Sequence, residues 1–496
     1  MGTLQQGISV SGTIFKSYPH SRYGYGVNPI SLIFEFALKN PSAIAISSGS
    51  IDITYENLVE SVQLITASFI SSGVRQGNVV AVATKPEFEC LATLSLMQIG
   101  AVSLSATESV FKNYGKAIDQ LITDGSLPVA SARQITINGD FFEDLGKHRA
   151  TSETAKLKTT DLVRVVFSSG TTGLPKGVPF TLENLLTRID SARRNWMPEL
   201  PFMSLLGLDT VTGMQTFFWS VINGETYFSV TSAKENLKQI SDKKIKSLKT
   251  SPARLRDLVA EADVGEQRDL AIIQVAGSLL DNKLVANCQK KLGITPTYLY
   301  GSTEVGTVTR GEFKSSQPNN LGSVVSDIDL EIVDDSLNPV ATNGNGKIRY
   351  RKAGMPNSYW LKNNSVETGF IDEWFYPGDL GFINDQGELV LAGRTDDVIN
   401  LGGAKFNLLE LDLWLQNSEM FDEVASFRVK TDEGIDEIGI AFVSANPPIP
   451  ELLTRRVRAF LNDLEFKYLF RISELPRNKL GKIDRKSLTK LVSAIN

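Results

Sequence analysis

The stretch Leu162-Val163-Arg164-Val165-Val166-Phe167-Ser168-Ser169-Gly170-Thr171-Thr172-Gly173-Leu174-Pro175-Lys176-Gly177-Val178 decides the fold and points to the chemistry. Its β-branched run reads as a buried strand that delivers the chain into a loop of hydroxyls and glycines with one lysine. Glycine lets the backbone approach an anion, hydroxyls and amides donate to phosphate oxygens, and Lys176 adds a positive charge on a long stem. Residues 181–196 then read as a helix, with Thr181 placed to cap its N-terminus. The loop is not a Walker A motif, because Pro175 precedes Lys176 and Gly177 follows it; that motif needs Gly-Lys-Ser/Thr. Ser, Thr and Gly also fill ordinary surface loops, so composition alone leaves both readings open here.

Outward from the loop, short apolar runs alternate with amphipathic segments. The pattern predicts strands at 79–83, 102–104, 162–167, 272–275 and 297–300, and a helix over 87–99. Strand-helix alternation implies parallel sheets covered by helices. From about Leu321 the texture becomes turn-rich β, with Asn384-Asp385-Gln386-Gly387 placed as a hairpin turn. After Gly393 follows a compact α+β stretch. At 496 residues the chain exceeds one comfortable core. The expected organisation is α/β: a large N-terminal domain over 1–395, of parallel-rich sheets covered by helices plus a β-rich subdomain, and a small mobile α+β domain over 396–496.

Composition removes several classes of function. Lys plus Arg total 51 against 56 Asp plus Glu, a net charge of −5, which argues against general binding to nucleic acid or anionic membranes. The two cysteines, Cys90 and Cys288, stand far apart, so neither a disulfide framework nor a structural zinc site is expected, and a reducing cytoplasm fits. The N-terminus lacks a basic segment followed by an apolar core, and the tail Ser493-Ala494-Ile495-Asn496 is neither a peroxisomal address nor a prenylation box. The longest apolar stretch, residues 90–106, is broken by Thr93, Ser95, Gln98 and Gly100, too short and polar to span a bilayer. The two histidines, His20 and His148, sit in no motif, which disfavours Ser-His hydrolysis and histidine-ligated metals.

Taken as a whole string, Ser168-Ser169-Gly170-Thr171-Thr172-Gly173-Leu174-Pro175-Lys176-Gly177 resembles the AMP-binding signature of the adenylate-forming superfamily, which includes acyl-CoA synthetases, peptide-synthetase adenylation domains and firefly-type luciferases. Further stretches resemble that family's later motifs in its order: Tyr300-Gly301-Ser302-Thr303-Glu304, Trp374 to Gly381, Gly393 to Asp397, and Pro476 to Arg485. The resemblance implies ATP and Mg²⁺, with Thr303 at the α-phosphate, Glu304 holding the metal, Asp379 accepting from the ribose hydroxyls and Arg394 contacting the nucleotide. It implies that Ser168, Ser169, Gly170, Thr171, Thr172 and Lys176 grip the leaving phosphates, and that Gly277, Ser278, Tyr300, Gly301 and Ser302 complete the nucleotide site. Lys482 would be the catalytic lysine, Asp396 the hinge, and Gly402 and Gly403 the hairpin beside an acceptor channel.

For the acid, the resemblance places Met203, Ser204, Leu205 and Gly207, with Ala276 and Gly306, at the acyl pocket. Neither the histidine or aromatic common at Ser204 nor the aspartate that amino-acid-activating domains put near Leu205 is present. Met203, Leu205, Val211, Met214, Phe217, Ala276 and Gly277 together suggest an apolar lining, hence an apolar acid. The acceptor implied is a thiol, on CoA or a carrier protein. An amino acid or amine is the alternative, as in stand-alone amide synthetases of the coronafacate-ligase type. A non-catalytic nucleotide-binding relative is a third reading.

Overall fold

The computed structural model describes residues 28–49, 51–127, 133–168, 174–196, 199–265, 268–361, 369–401, 404–418, 420–430, 436–445, 449–461, 466–478 and 482–493. Two large sheets carry the N-terminal part. The first runs in the order Gln134–Thr136, Gln120–Thr123, Val79–Ala83, Val102–Ser105, Leu162–Ser168, Lys176–Thr181. All its pairs are parallel except the last, which is antiparallel. Helix Pro86–Ile99 starts on a proline, carries Glu87 and Glu89 in its first turn and stops at the left-handed Gly100. Those are the signals that set helix ends.

The second sheet has twelve strands. Phe202–Ser204, Ser247–Thr250, Ile272–Ala276 and Thr297–Ser302 are parallel neighbours, and Gly306–Glu312 then pairs antiparallel with the last of them. The turn-rich stretch after Leu321, the β-rich part of the large N-terminal domain, continues this sheet by hydrogen bonding through Asn320–Val324 and Glu388–Arg394. Each strand expected from the sequence is present, extended by one or two residues where it differs. Thr181 caps helix Leu182–Trp196 by accepting from the Asn184 amide at 3.2 Å.

The largest apolar core draws on residues from Ile30 to Leu389 and lies between the sheets and their helices. Past the turn Thr395–Asp397 the chain builds separate cores, from Ile399 to Leu469 and from Ala425 to Val492, around the three-stranded sheet Glu423–Lys430, Asp436–Val443 and Phe466–Arg471. Gly393 sits at the junction with φ +131°, and a Cβ there would lie 2.1 Å from Asn407 Oδ1, so no other residue fits. Contacts from Lys283 to Asp422 at 2.6 Å and from Asn282 to Asn417 at 3.1 Å link helix Asn282–Leu292 to the C-terminal unit. Both cysteines are buried and free. No helix among the described residues is long and apolar enough to cross a membrane.

Candidate active site

One cavity of about 1190 Å³ collects most of the residues singled out in the sequence. That exceeds the usual range for a single small ligand, roughly 300–1,000 Å³. Ser168 and Lys176, paired in register across the first sheet's hairpin, flank it. The loop base is fixed from outside: Tyr114 donates to the Pro175 carbonyl at 2.7 Å, the Trp360 amide donates to the Gly177 carbonyl at 2.7 Å, and the two rings stack. Lys176 lies 5.2 Å from the Tyr359 ring centre. Ser169, Gly170, Thr171 and Thr172 lie outside the described residues, as do Gly402 and Gly403.

Strand Thr297–Ser302 brings Tyr300, Gly301 and Ser302 to the cavity and turns through Thr303 and Glu304 into Gly306–Glu312. The turn is tight enough that a Cβ on Gly301 would lie 1.8 Å from the Gly306 carbonyl oxygen. Arg188, from helix Leu182–Trp196, clamps it from below, donating to the carbonyls of Glu304 at 2.8 Å and Thr303 at 3.2 Å. Burial pulls the Arg188 guanidinium down to about 10, against the charges of Glu304 and Asp327. It therefore stays charged at neutral pH. Glu304 is 5% exposed and accepts from the Tyr359 hydroxyl at 2.9 Å. Burial, with Glu304 beside it, drives the Tyr359 phenol upward, so it serves only as a neutral donor.

Asp379 is held at both oxygens. Tyr300 donates to one at 2.6 Å and Arg394 to the other at 2.6 Å, while Arg394 also reaches the Pro377 carbonyl at 3.2 Å. Each carboxylate oxygen keeps a second lone pair, so Asp379 can still accept from a ligand. Lys482 enters from the C-terminal unit, on a turn closed by reciprocal bonds with Asn478 at 2.8 and 3.0 Å. Lys482 is an exposed residue whose side chain lines the cavity. Desolvation by the surrounding protein lowers its ammonium below the ordinary lysine range; Asp379 and Glu304 oppose that shift and Arg394 adds to it. Asp396 lines the mouth. Gly277 lines the wall with nothing within 4 Å of a Cβ built on it, while half-buried Ser278 beside it is not on the wall.

The acyl end departs from expectation. Met203, Ser204 and Leu205 are 0%, 0% and 2% exposed and do not line the cavity. Met203 and Leu205 pack into the main core with Met214 and Phe217, because their segment is covered on both faces; the Ser204 hydroxyl bonds to the backbone of Leu206 next door. Gly207 also lies off the wall, serving as a backbone acceptor for Thr210. Ala276, Gly306 and Val211 are where they were expected, but Gln215, Lys249, Ser251 and Thr307 share the wall with them. The lining is therefore mixed, not apolar. Sequence reasoning missed Arg188, Tyr359 and Lys249. Lys249 carried a signal: a lysine inside Ser247–Thr250, buried along its whole length, stands where a parallel strand calls for an apolar residue.

Residues 116–360 match the family described as AMP-binding enzyme. Tyrocidine synthase 3 of Brevibacillus parabrevis is 24% identical over 94% of this chain, which spans only 8% of that much longer protein. A 2-succinylbenzoate–CoA ligase of Geobacillus kaustophilus is 25% identical, over 92% of this chain and 96% of its own length. Among solved structures, the o-succinylbenzoate CoA synthetase of Bacillus subtilis in complex with its acyl-adenylate intermediate superposes with a TM-score of 0.79 at 21% identity, covering 92% of this chain and 97% of that one. At that identity the likeness is one of fold.

Proposed function

We propose that this chain, whose residues 116–360 match the AMP-binding enzymes, is an enzyme of the adenylate-forming superfamily that activates an organic carboxylic acid with ATP and passes the acyl group to the thiol of coenzyme A, releasing AMP. The observation that carries this reading is the convergence, on one cavity, of Lys482 from the C-terminal unit with Thr303, Glu304, Asp379, Arg394, Ser168 and Lys176. Curated relatives of matching length that join acids to CoA support the thiol as acceptor.

In the first step a carboxylate oxygen bonds to the α-phosphorus of ATP, the bond to the β-phosphate bridge breaks, and pyrophosphate leaves. The residues present fit the nucleotide. The open wall at Gly277 leaves space for a flat group, Asp379 retains acceptor capacity for hydroxyls, and the Lys482 ammonium on the same cavity supplies a positive charge for an anion. Among the described residues no three His, Cys, Asp or Glu gather as a metal site. Glu304 would be the residue that holds Mg²⁺, and the ion would supply neutralisation of phosphate charge. Lys482 offsets the charge that builds on the α-phosphate oxygens, and Thr303 donates its hydroxyl there. Ser168 and Lys176 hold the departing phosphates. Arg188 and Tyr359 keep Thr303 and Glu304 in position.

The second step, on this reading, follows a swing of residues 396–496 about Asp396. Separate cores on either side and exposed polar links such as Lys283–Asp422 support that motion, since surface ion pairs hold weakly. Gly402 and Gly403 would then border the acceptor's path.

Pyrophosphate release from ATP and Mg²⁺, measured over a panel of acids with and without CoA, tests the whole reading. Acid-dependent release and a thioester product are expected. Lys482→Ala should lower release by about two to three orders of magnitude, the scale for losing one such group. No release from folded, ATP-binding protein would overturn the reading, and an amide product in place of a thioester would overturn the acceptor.

A further inference from the structure

Lys249 sits mid-strand in Ser247–Thr250, in register with Ser204 on one side and Gln274 on the other. It is 2% exposed, and its ammonium has no hydrogen-bond partner among the described residues. Its side chain forms part of the cavity wall, while the ammonium folds over the ring of Trp196. Trp196 is itself fixed, donating to Thr307 at 3.3 Å and accepting at its carbonyl from Gln274 at 3.0 Å. The molecule contains its own control. Lys352 is also buried, yet it pairs with Asp327 at 3.1 Å, as a lysine with a purely structural role does. Among the described residues Lys249 has no such carboxylate.

We propose that Lys249 recognises a second carboxylate on the acid, so that the substrate is a dicarboxylate activated at one end and held by Lys249 at the other. The proposal rests on the adenylation reading only for which end reacts. Three observations carry it. A ring face offsets only part of the cost of burying an ammonium, and a carboxylate supplies the missing counter-charge together with a charge-assisted hydrogen bond. The long stem lets the ammonium leave the Trp196 ring for the cavity that the same side chain lines. Lastly, Lys249 lines the same cavity as Lys482 but stands on a different element, the strand Ser247–Thr250 of the second sheet, level with Ser204 and Gln274. Gln215, Ser251 and Thr307 on the shared wall offer further polar contacts.

The test compares straight-chain and aromatic diacids of rising length, each against the monoacid that lacks its second carboxylate, in wild type and Lys249→Met. Pyrophosphate release and the rise in melting temperature on adding the acid are both read. ATP-dependent thermal protection serves as the check that the variant has folded. Wild type should prefer the fitting diacid by roughly ten- to hundredfold in kcat/KM, the worth of one charge-assisted bond, and the variant should lose that preference. Equal use of both acids by wild type, or equal losses for both in the variant, overturns the proposal; acid-dependent release in that same experiment leaves adenylation standing. Lys249-dependent thermal protection by a diacid without any pyrophosphate release would instead support the pocket and sink the adenylation reading.

Discussion

Replacing Arg188 by methionine removes the clamp under the Thr303–Glu304 turn while keeping most of the buried volume. The guanidinium is 1% exposed and makes charged hydrogen bonds of 2.8 and 3.2 Å to two carbonyls, with the Phe180 ring 5.5 Å away. Each such bond contributes about 1.5–3 kcal/mol, and a carbonyl left buried without a donor costs about 1–3 kcal/mol. Against this, removing the charge relieves a desolvation cost of several kcal/mol, the same burial that draws its pKa to about 10. The balance predicts a loss of about 2–4 kcal/mol, read as a shift in the urea midpoint at unchanged slope. The activity effect has a different origin. Released from Arg188, the turn can relax, and a displacement of about 1 Å at reacting groups costs on the order of a hundredfold in rate. The assay is pyrophosphate release at saturating ATP and acid, under conditions where the variant is fully folded. A destabilised variant with wild-type kcat would show that Arg188 supports the fold without positioning Thr303 and Glu304. Unchanged stability would refute the energetic argument itself.

Gly301→Ala places a Cβ 1.8 Å from the Gly306 carbonyl; the turn must open, so a melting-temperature drop and loss of pyrophosphate release should appear together. Glu388 accepts from Lys314, Asn320 and Asn384, and these bonds, that to Lys314 foremost, hold its carboxyl at about 2. A depressed carboxyl stabilises the folded state fully above the unfolded pKa, about 4.3, and progressively less as pH falls towards 2. Glu388→Gln should therefore be less stable than wild type at pH 7, by about 1 kcal/mol for a site near the surface, and the gap should narrow in urea titrations run below pH 4.

How legible the site was depends on whether backbone or tertiary register determines each part. The strand at 162–167 could be read because a β-branched run ending in a Gly-rich hairpin has few alternatives, and the same holds for Tyr300 to Glu304, where Gly301 and Gly306 permit only one turn. Residues of this kind reached the cavity together: Ser168, Lys176, Thr303, Glu304, Asp379, Arg394 and Lys482. The acyl end failed for a physical reason. Position along the chain put residues 201–207 beside the site, but a strand covered on both faces buries every side chain, and Met203 turned to the core. What lines that wall is set by register across parallel strands, where Lys249 is level with Ser204 and Gln274, residues remote from it in the chain. No local spacing encodes that alignment. Motif reading therefore reaches the shared chemistry of the nucleotide end and stops short of substrate choice, which lies with side chains that only the folded sheet brings level. A polar residue inside a strand predicted to be buried is the one trace such a side chain leaves in the sequence, because burial there requires a hydrogen-bond partner, and at Lys249 the protein supplies none among the described residues, only the ring of Trp196.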